Sequence, residues 1–142
     1  MKKNSILWLL FLLAFSFQGF SQSIEGVWET TDDETGEKKS HVKMYKTQSG
    51  KYAGQVVKIL QESRKDAVCD KCSDYRKGKP IQDMVIVIGM KEKNGEWSGG
   101  EILDPKKGKI YGCKMWLDGS NTLKVRGYLG PFYRTQTWKR VQ

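Results

Sequence analysis

Apolar and polar residues alternate with a period of two along most of the chain after residue 24. In residues 111–117 and 123–129, every second side chain is apolar or small: Tyr111, Cys113, Met115, Leu117, Leu123, Val125, Gly127 and Leu129. Charged residues such as Lys114 and Lys124 occupy positions between them. This period predicts antiparallel strands with one buried and one solvated face. No long segment has the 3.6-residue period of an amphipathic helix.

Turn signals such as Asn94-Gly95 and Gly130-Pro131 divide this pattern into short segments rich in Val, Ile, Tyr, Trp and Thr. The segments predict eight strands, at residues 25–31, 39–47, 51–60, 83–92, 96–103, 108–117, 121–129 and 132–141. Eight strands with short turns favour an all-β, up-and-down antiparallel barrel, because closure removes exposed edges. A two-sheet sandwich is the alternative.

One connection, residues 61–82, is too long for a hairpin turn and carries many charges, two cysteines and Pro80. Loops longer than about 12–15 residues in a compact domain are usually functional or disordered. We therefore expect a lid across one barrel mouth, with a short helix near residues 61–66. Residues 84–88 are apolar on both faces, which predicts that something covers the outer side of that strand.

The first residues carry the pattern of a cleavable export signal. Lys2 and Lys3 precede the apolar run 6–17, and small residues follow it, which is the order found in secretory signal peptides. The run is shorter than the ~20 apolar residues of a membrane-spanning helix, so an uncleaved anchor is disfavoured. We predict a signal peptide at residues 1–21, then a single β-barrel domain at 22–142 without a transmembrane span. The protein is expected to be periplasmic or secreted.

The chain is basic, with a formal net charge of +9. Its lysines are interleaved with acidic residues, which is typical of a solvated surface. Lys124, Arg126 and Tyr128 form a short version of the basic and aromatic stripe that binds nucleic acid, but export argues against that partner. We expect a monomer that binds no nucleic acid.

Cys69 and Cys72 are separated by two residues. Such a pair forms a disulfide, half of a zinc site or a redox couple, and an oxidising compartment favours the disulfide. A structural zinc site needs four ligands, and the remaining candidates, Cys113 and the sole histidine His41, lie on separate predicted strands. We predict a local disulfide rather than a metal site, and free thiols and then a metal site are the less favoured alternatives. Cys113 is predicted to be a small buried apolar residue.

No specific catalytic motif is present. The sequence lacks a nucleophile elbow and the glycine motifs that cradle phosphates or dinucleotides, and a single histidine weakens any nucleophile–base pairing. The carboxylates Glu101 and Asp104 are the pair considered for a small hydrolytic enzyme, although Asp104-Pro105 is first of all a turn signal. We therefore predict no catalytic residues, no cofactor and no enzymatic activity.

The two ends of the predicted barrel carry a distinctive pair. Gly26-Val27-Trp28 opens the first strand and Arg140 closes the last, and these strands are neighbours in a closed barrel. An arginine over an indole is a favourable contact of about 0.5–2 kcal/mol. We predict that Trp28 and Arg140 close the barrel. Gly-X-Trp with this arginine resembles the signature of lipocalins and other calycins.

Over residues 25–141 the chain resembles the bacterial family called domain of unknown function 2147. The resemblance rests on Gly26-X-Trp28, Cys69 with Cys72, Trp97-Ser98-Gly99-Gly100, Ile102-Leu103-Asp104-Pro105, Gly108-X-X-Tyr111, Val125-Arg126-Gly127-Tyr128 and Arg134-Thr135-Gln136-Thr137-Trp138. It implies an exported bacterial protein with a calycin-like barrel. It implies no activity and no site residues.

The function predicted from these features is non-enzymatic binding of a small, partly apolar ligand inside the barrel. The candidate ligand-binding residues place a polar or cationic tip near a strand end, and they are Tyr111, Arg126, Tyr128, Tyr133 and Arg134. Alternatives are a cell-envelope interaction protein with a filled barrel, and a small hydrolytic enzyme.

Overall fold

The structure is a computed structural model that describes residues 22–142, which form eight strands in a closed barrel. The strands are β1 (Gly26–Thr31), β2 (Lys38–Lys46), β3 (Tyr52–Ile59), β4 (Val85–Lys93), β5 (Glu96–Asp104), β6 (Lys109–Leu117), β7 (Thr122–Leu129) and β8 (Phe132–Arg140). Each is antiparallel to the next, and β8 pairs with β1. The predicted eight-stranded barrel is confirmed, and the sandwich is excluded. The predicted signal peptide lies outside the described residues.

The alternating pattern decides which side chains enter the barrel. Cys113, Met115, Leu123 and Val125 are all buried, whereas the lysines between them lie on the outer face. Strand pairing is interrupted by irregularities in β1, β2, β3 and β5, where extra residues bend the sheet as closure requires.

Large side chains fill the end of the barrel where β1 begins and β2, β4, β6 and β8 end. The fully buried residues there include Trp28, Met44, Met90, Met115 and Leu123. Gly54 leaves room for this packing, since a Cβ at that position would stand 2.7 Å from Sδ of Met44. This end is therefore a packed core rather than an opening.

The long connection between β3 and β4, residues 60–84, is an ordered loop that we call the excursion. It contains a one-turn 3-10 helix at Glu62–Arg64, inside the region where a short helix was expected. The backbones of Val68 and Pro80 pair as an isolated bridge. Arg76 bonds Asp74 and donates from Nη1 to the carbonyl of Val85 at 3.0 Å, which ties the excursion to the start of β4.

Cys69 and Cys72 form a disulfide, and both cysteines are buried. The disulfide lies against the turn between β5 and β6, with Sγ of Cys69 3.3 Å from the carbonyl oxygen of Pro105. Gly108 in the same turn has φ 66°, and a Cβ there would collide with the carbonyl of Lys71. The bridge thus fixes the excursion against one barrel turn. No helix within residues 22–142 is long and apolar enough to cross a membrane.

Candidate functional site

A cavity of about 540 Å³ opens at the end of the barrel opposite the packed core. Its rim comprises the β1–β2 turn, the start of the β3–β4 excursion, the β5–β6 turn and the β7–β8 turn. Apolar side chains form much of its wall, namely Val56, Ile59, Ile81, Ile86, Ile102, Val125 and Trp138. The barrel is therefore half filled and half open.

Two hydroxyl groups form a polar patch on the cavity wall. Oγ1 of Thr30 and Oγ of Ser40 lie 2.8 Å apart, and Oγ1 of Thr30 also donates to the carbonyl of Ser40 at 3.3 Å. Both residues are buried, so water competes little for them. Buried hydroxyls of this kind favour a ligand with a matching polar group over a purely apolar ligand.

A chain of hydrogen bonds runs from the buried wall to the rim. Nε1 of Trp138 donates to Oε1 of Gln136 at 3.0 Å, and Nε2 of Gln136 donates to Oδ2 of Asp33 at 2.7 Å. Nη1 of Arg134 lies 3.6 Å from the same carboxylate oxygen. Because both ends of the Gln136 amide are bonded, this wall holds an amide in a fixed position, with the largely exposed guanidinium of Arg134 beside it at the rim.

Asp32 holds the β1–β2 turn at the cavity rim. Its Oδ1 accepts hydrogen bonds from the backbone N–H groups of Glu34 at 2.9 Å and Thr35 at 3.1 Å. The Glu34 N–H lowers the pKa of Asp32 most strongly, burial opposes this, and the Thr35 N–H and Lys106 lower the pKa further. The carboxylate therefore stays charged and serves as a structural cap.

The five predicted ligand-binding residues divide between two surfaces. Tyr111, Tyr133 and Arg134 line the cavity. Arg126 and Tyr128 lie on the outer face of β7, at positions alternating with the buried Leu123 and Val125, and are not among the residues that line the cavity. The guanidinium of Arg126 instead stacks on the rings of Trp116 and Tyr133, at 4.9 and 4.5 Å.

Sequence reasoning missed several cavity residues, including Thr30, Ser40, Asp33 and Gln136. The alternating pattern could have placed two of them inside the barrel. Gln136 lies two positions before the inward-facing Trp138, and Ser40 lies two positions before the buried Val42. The position of Asp33 beside Gln136 follows from barrel closure, which joins residues 103 apart in sequence. Sequence alternation does not show that contact.

Glu101 and Asp104, the carboxylates considered for a small hydrolytic enzyme, do not form one site. Asp104 lines the cavity, and its Oδ1 accepts the backbone N–H of Lys106 at 3.0 Å. Glu101 is exposed and is not part of the cavity lining. Within residues 22–142, no group of three or more His, Cys, Asp and Glu side chains is arranged to hold a metal ion.

Trp28 and Arg140 meet where β1 pairs with β8. The guanidinium carbon of Arg140 lies 4.2 Å from the Trp28 ring centroid, and its nitrogens donate to the carbonyls of Ser23, Glu25 and Ser120 at 2.9–3.0 Å. Gly26 has φ 125°, and a Cβ there would stand 2.8 Å from Nη1 of Arg140. The Gly-X-Trp motif thus makes room for the arginine that closes the barrel.

Comparison with known proteins gives the family. Residues 26–140 match a family described as uncharacterized proteins conserved in bacteria, DUF2147. The chain belongs to this family. Membership of DUF2147 agrees with the resemblance carried by the sequence motifs and assigns no activity.

A solved structure has the same fold as this DUF2147 chain. It is protein HP1028 from Helicobacter pylori, described as belonging to the lipocalin family, with 18% sequence identity and a TM-score of 0.73 over 84% of each chain. At this identity the similarity shows the lipocalin-like fold alone. No curated protein matches the sequence significantly.

Proposed function

We propose that this protein is a non-enzymatic binding protein that holds a small, partly apolar ligand in the open half of its barrel. The observation that carries the proposal is the cavity of about 540 Å³. This volume lies within the range of about 300–1,000 Å³ typical of small-molecule sites. A barrel with only a structural role has no need of such a space, since unfilled volume costs stability.

The lining supports a ligand with two chemically different parts. Ile59, Ile86 and Val125 offer an apolar wall, and Thr30 and Ser40 offer hydroxyl groups beside it. The apolar part of the ligand would lie against the wall, and its polar part would hydrogen-bond the hydroxyls or Gln136. The partly filled barrel weakens the alternative of a fully filled interaction protein.

The electrostatics of the site favour binding over catalysis. A general acid works best with a pKa near the operating pH, whereas the pKa of Asp32 is lowered and its Oδ1 caps a turn. Glu101 and Asp104 do not share the cavity. These features support a site that holds a molecule without transforming it.

Export is part of the same proposal. The buried Cys69–Cys72 disulfide suits the oxidising environment outside the cytoplasm. N-terminal sequencing of the protein from the cell envelope is expected to give a chain that begins near Gln22. An intact Met1 on protein from the cytosol would contradict this part of the proposal.

The binding test compares a cavity variant with a surface variant. Ile102 lines the cavity beside Gly127 and Tyr111, so Ile102→Trp is expected to fill part of it. Ile88 on β4 is exposed and lies outside the lining, so Ile88→Trp is the matched control. The probe is 1-anilinonaphthalene-8-sulfonate, with affinity measured by fluorescence titration and folding by thermal denaturation.

We expect the native chain and Ile88→Trp to bind the probe alike, and Ile102→Trp to bind it at least about ten-fold more weakly, the loss that 1.4 kcal/mol represents. Native mass spectrometry of protein from its own envelope should show a reproducible added mass. Equal probe binding by both variants together with no added mass would refute the proposal.

A further inference from the structure

Three large apolar side chains stand exposed at the end of the β7–β8 hairpin. Leu129, Phe132 and Tyr133 are 52%, 76% and 62% exposed, and Gly130 and Pro131 form the turn between them. We call residues 129–133 the hairpin tip. The tip borders the cavity mouth, since all three apolar side chains also line it. Such a cluster of exposed apolar surface marks a contact site for an apolar partner.

The strands that carry the hairpin tip are entirely without acidic residues. Strands β6, β7 and β8 contain no aspartate or glutamate. Their outer side bears the cations that we call the basic face: Lys114, Lys124, Arg126 and Lys139. Two carboxylates border this face. Glu96 on β5 lies 3.2 Å from Nζ of Lys114, and Glu29 on β1 is in register with Lys139 but forms its ion pair with Lys38.

Hydrogen bonds to threonines hold three of the four cations of the basic face in place. Nζ of Lys124 donates to Thr137 at 2.8 Å, Nε of Arg126 donates to Thr135 at 2.8 Å, and Nζ of Lys139 donates to Thr122 at 3.1 Å. Because these acceptors are neutral, the hydrogen bonds do not cancel the charges of Lys124, Arg126 and Lys139. The basic face therefore attracts a negatively charged surface.

The basic face and the hairpin tip form one continuous surface. The ring of Tyr133, at the tip, lies 4.5 Å from the guanidinium of Arg126 and 6.0 Å from the ring of Tyr128. An apolar end adjoining a row of cations is the arrangement by which proteins bind anionic membranes: the apolar groups enter the interface and the cations lie at the headgroups.

We propose that the hairpin tip and the basic face dock this protein on an anionic lipid bilayer, with the outer side of β7 and β8 lying along the bilayer surface and the hairpin tip entering it. A soluble polyanion would use the cations but has no need of Phe132 or Leu129. A second copy of the chain is disfavoured, because two basic faces repel each other. This surface does not depend on the cavity holding a ligand.

The test measures co-sedimentation of the full purified protein with vesicles. One set contains phosphatidylcholine alone and the other phosphatidylcholine mixed with phosphatidylglycerol. The tip variant combines Leu129→Ser with Phe132→Ser, and its control is Tyr75→Ser, which removes a ring 71% exposed elsewhere. The charge variant combines Lys124→Gln with Lys139→Gln, and its control changes Lys43 and Lys91, exposed lysines on other strands, to Gln.

We expect the native protein and both controls to bind the phosphatidylglycerol vesicles and to bind phosphatidylcholine vesicles much less. The tip variant should lose at least about ten-fold in partitioning, because exposed apolar surface no longer enters the interface. The charge variant should lose about five-fold for each lysine removed, and added salt should weaken binding by the native protein.

Three outcomes would overturn the proposal. Absence of vesicle binding by the native protein would do so directly. If the tip variant binds as tightly as the native chain while the charge variant does not, the surface binds a polyanion rather than a bilayer. If sedimentation velocity gives a dimer that Phe132→Ser dissociates, the tip is a contact between copies. Thermal denaturation of each variant checks that the exposed substitutions leave the fold intact.

Discussion

Replacing Arg140 by alanine tests whether one side chain closes the barrel. Its guanidinium donates to three backbone carbonyls, at Ser23, Glu25 and Ser120, and covers the ring of Trp28. A hydrogen bond from a charged donor contributes about 1.5–3 kcal/mol, and the ring contact about 0.5–2 kcal/mol. These values do not add, because the side chain is partly solvated and its contacts share one group.

We therefore expect Arg140→Ala to lower the free energy of unfolding by about 2–4 kcal/mol. Arg140→Lys keeps the charge but cannot reach all three carbonyls, so it should lose about half as much. Lys139→Ala is the neighbouring control, since Lys139 is exposed and should change stability by less than about 0.5 kcal/mol. Urea denaturation followed by tryptophan fluorescence measures all three. A loss below about 1 kcal/mol for Arg140→Ala would refute the closing role.

Three further predictions concern other parts of the fold. Trp28→Ala should cost about 3–5 kcal/mol in urea denaturation, because the indole is fully buried; a loss below about 1 kcal/mol would contradict its core position. Changing Cys69 and Cys72 to Ala, which buries no hydroxyl at these core positions, should lower the Tm only slightly, since the bridge closes a very short loop, but should speed proteolysis of residues 61–82. Thiol labelling of untreated, unfolded protein should detect Cys113 alone, and three labelled cysteines would exclude the bridge. Since the pKa of Asp32 is lowered on folding, its stabilisation is present above about pH 4 and is lost as the pH falls through the folded pKa. Asp32→Asn should reduce this loss in acid, whereas an unchanged acid dependence would exclude Asp32 as a cause.

The local sequence was sufficient to predict the strands and the order in which they pair. All eight segments lie within two residues of the predicted bounds, because alternation and turn chemistry are local properties that survive in the folded chain. The same logic predicted that Trp28 and Arg140 meet, since closing an eight-stranded barrel brings its first and last strands together.

The sequence pattern also separated inward from outward positions on β7, where Leu123 and Val125 are buried and Arg126 lies outside. Arg126 and Tyr128 were nevertheless predicted to bind a ligand, because they are polar and lie near a turn, although the alternating pattern assigns them to the outer face. The structure places both on the outer face, because the period of two allows only every second side chain of a strand to enter the barrel.

Only the tertiary structure decided how far the barrel is filled. Met44, Met90 and Met115 pack one end, whereas the other end stays open around Ile86 and Ile102. Whether inward side chains meet across a barrel depends on strand tilt, bulges and register, which sum over all eight strands. For the same reason Asp33 and Gln136, 103 residues apart, share a hydrogen bond that residue spacing does not predict. Local pattern thus specified the strands, and closure of the whole sheet determined the cavity.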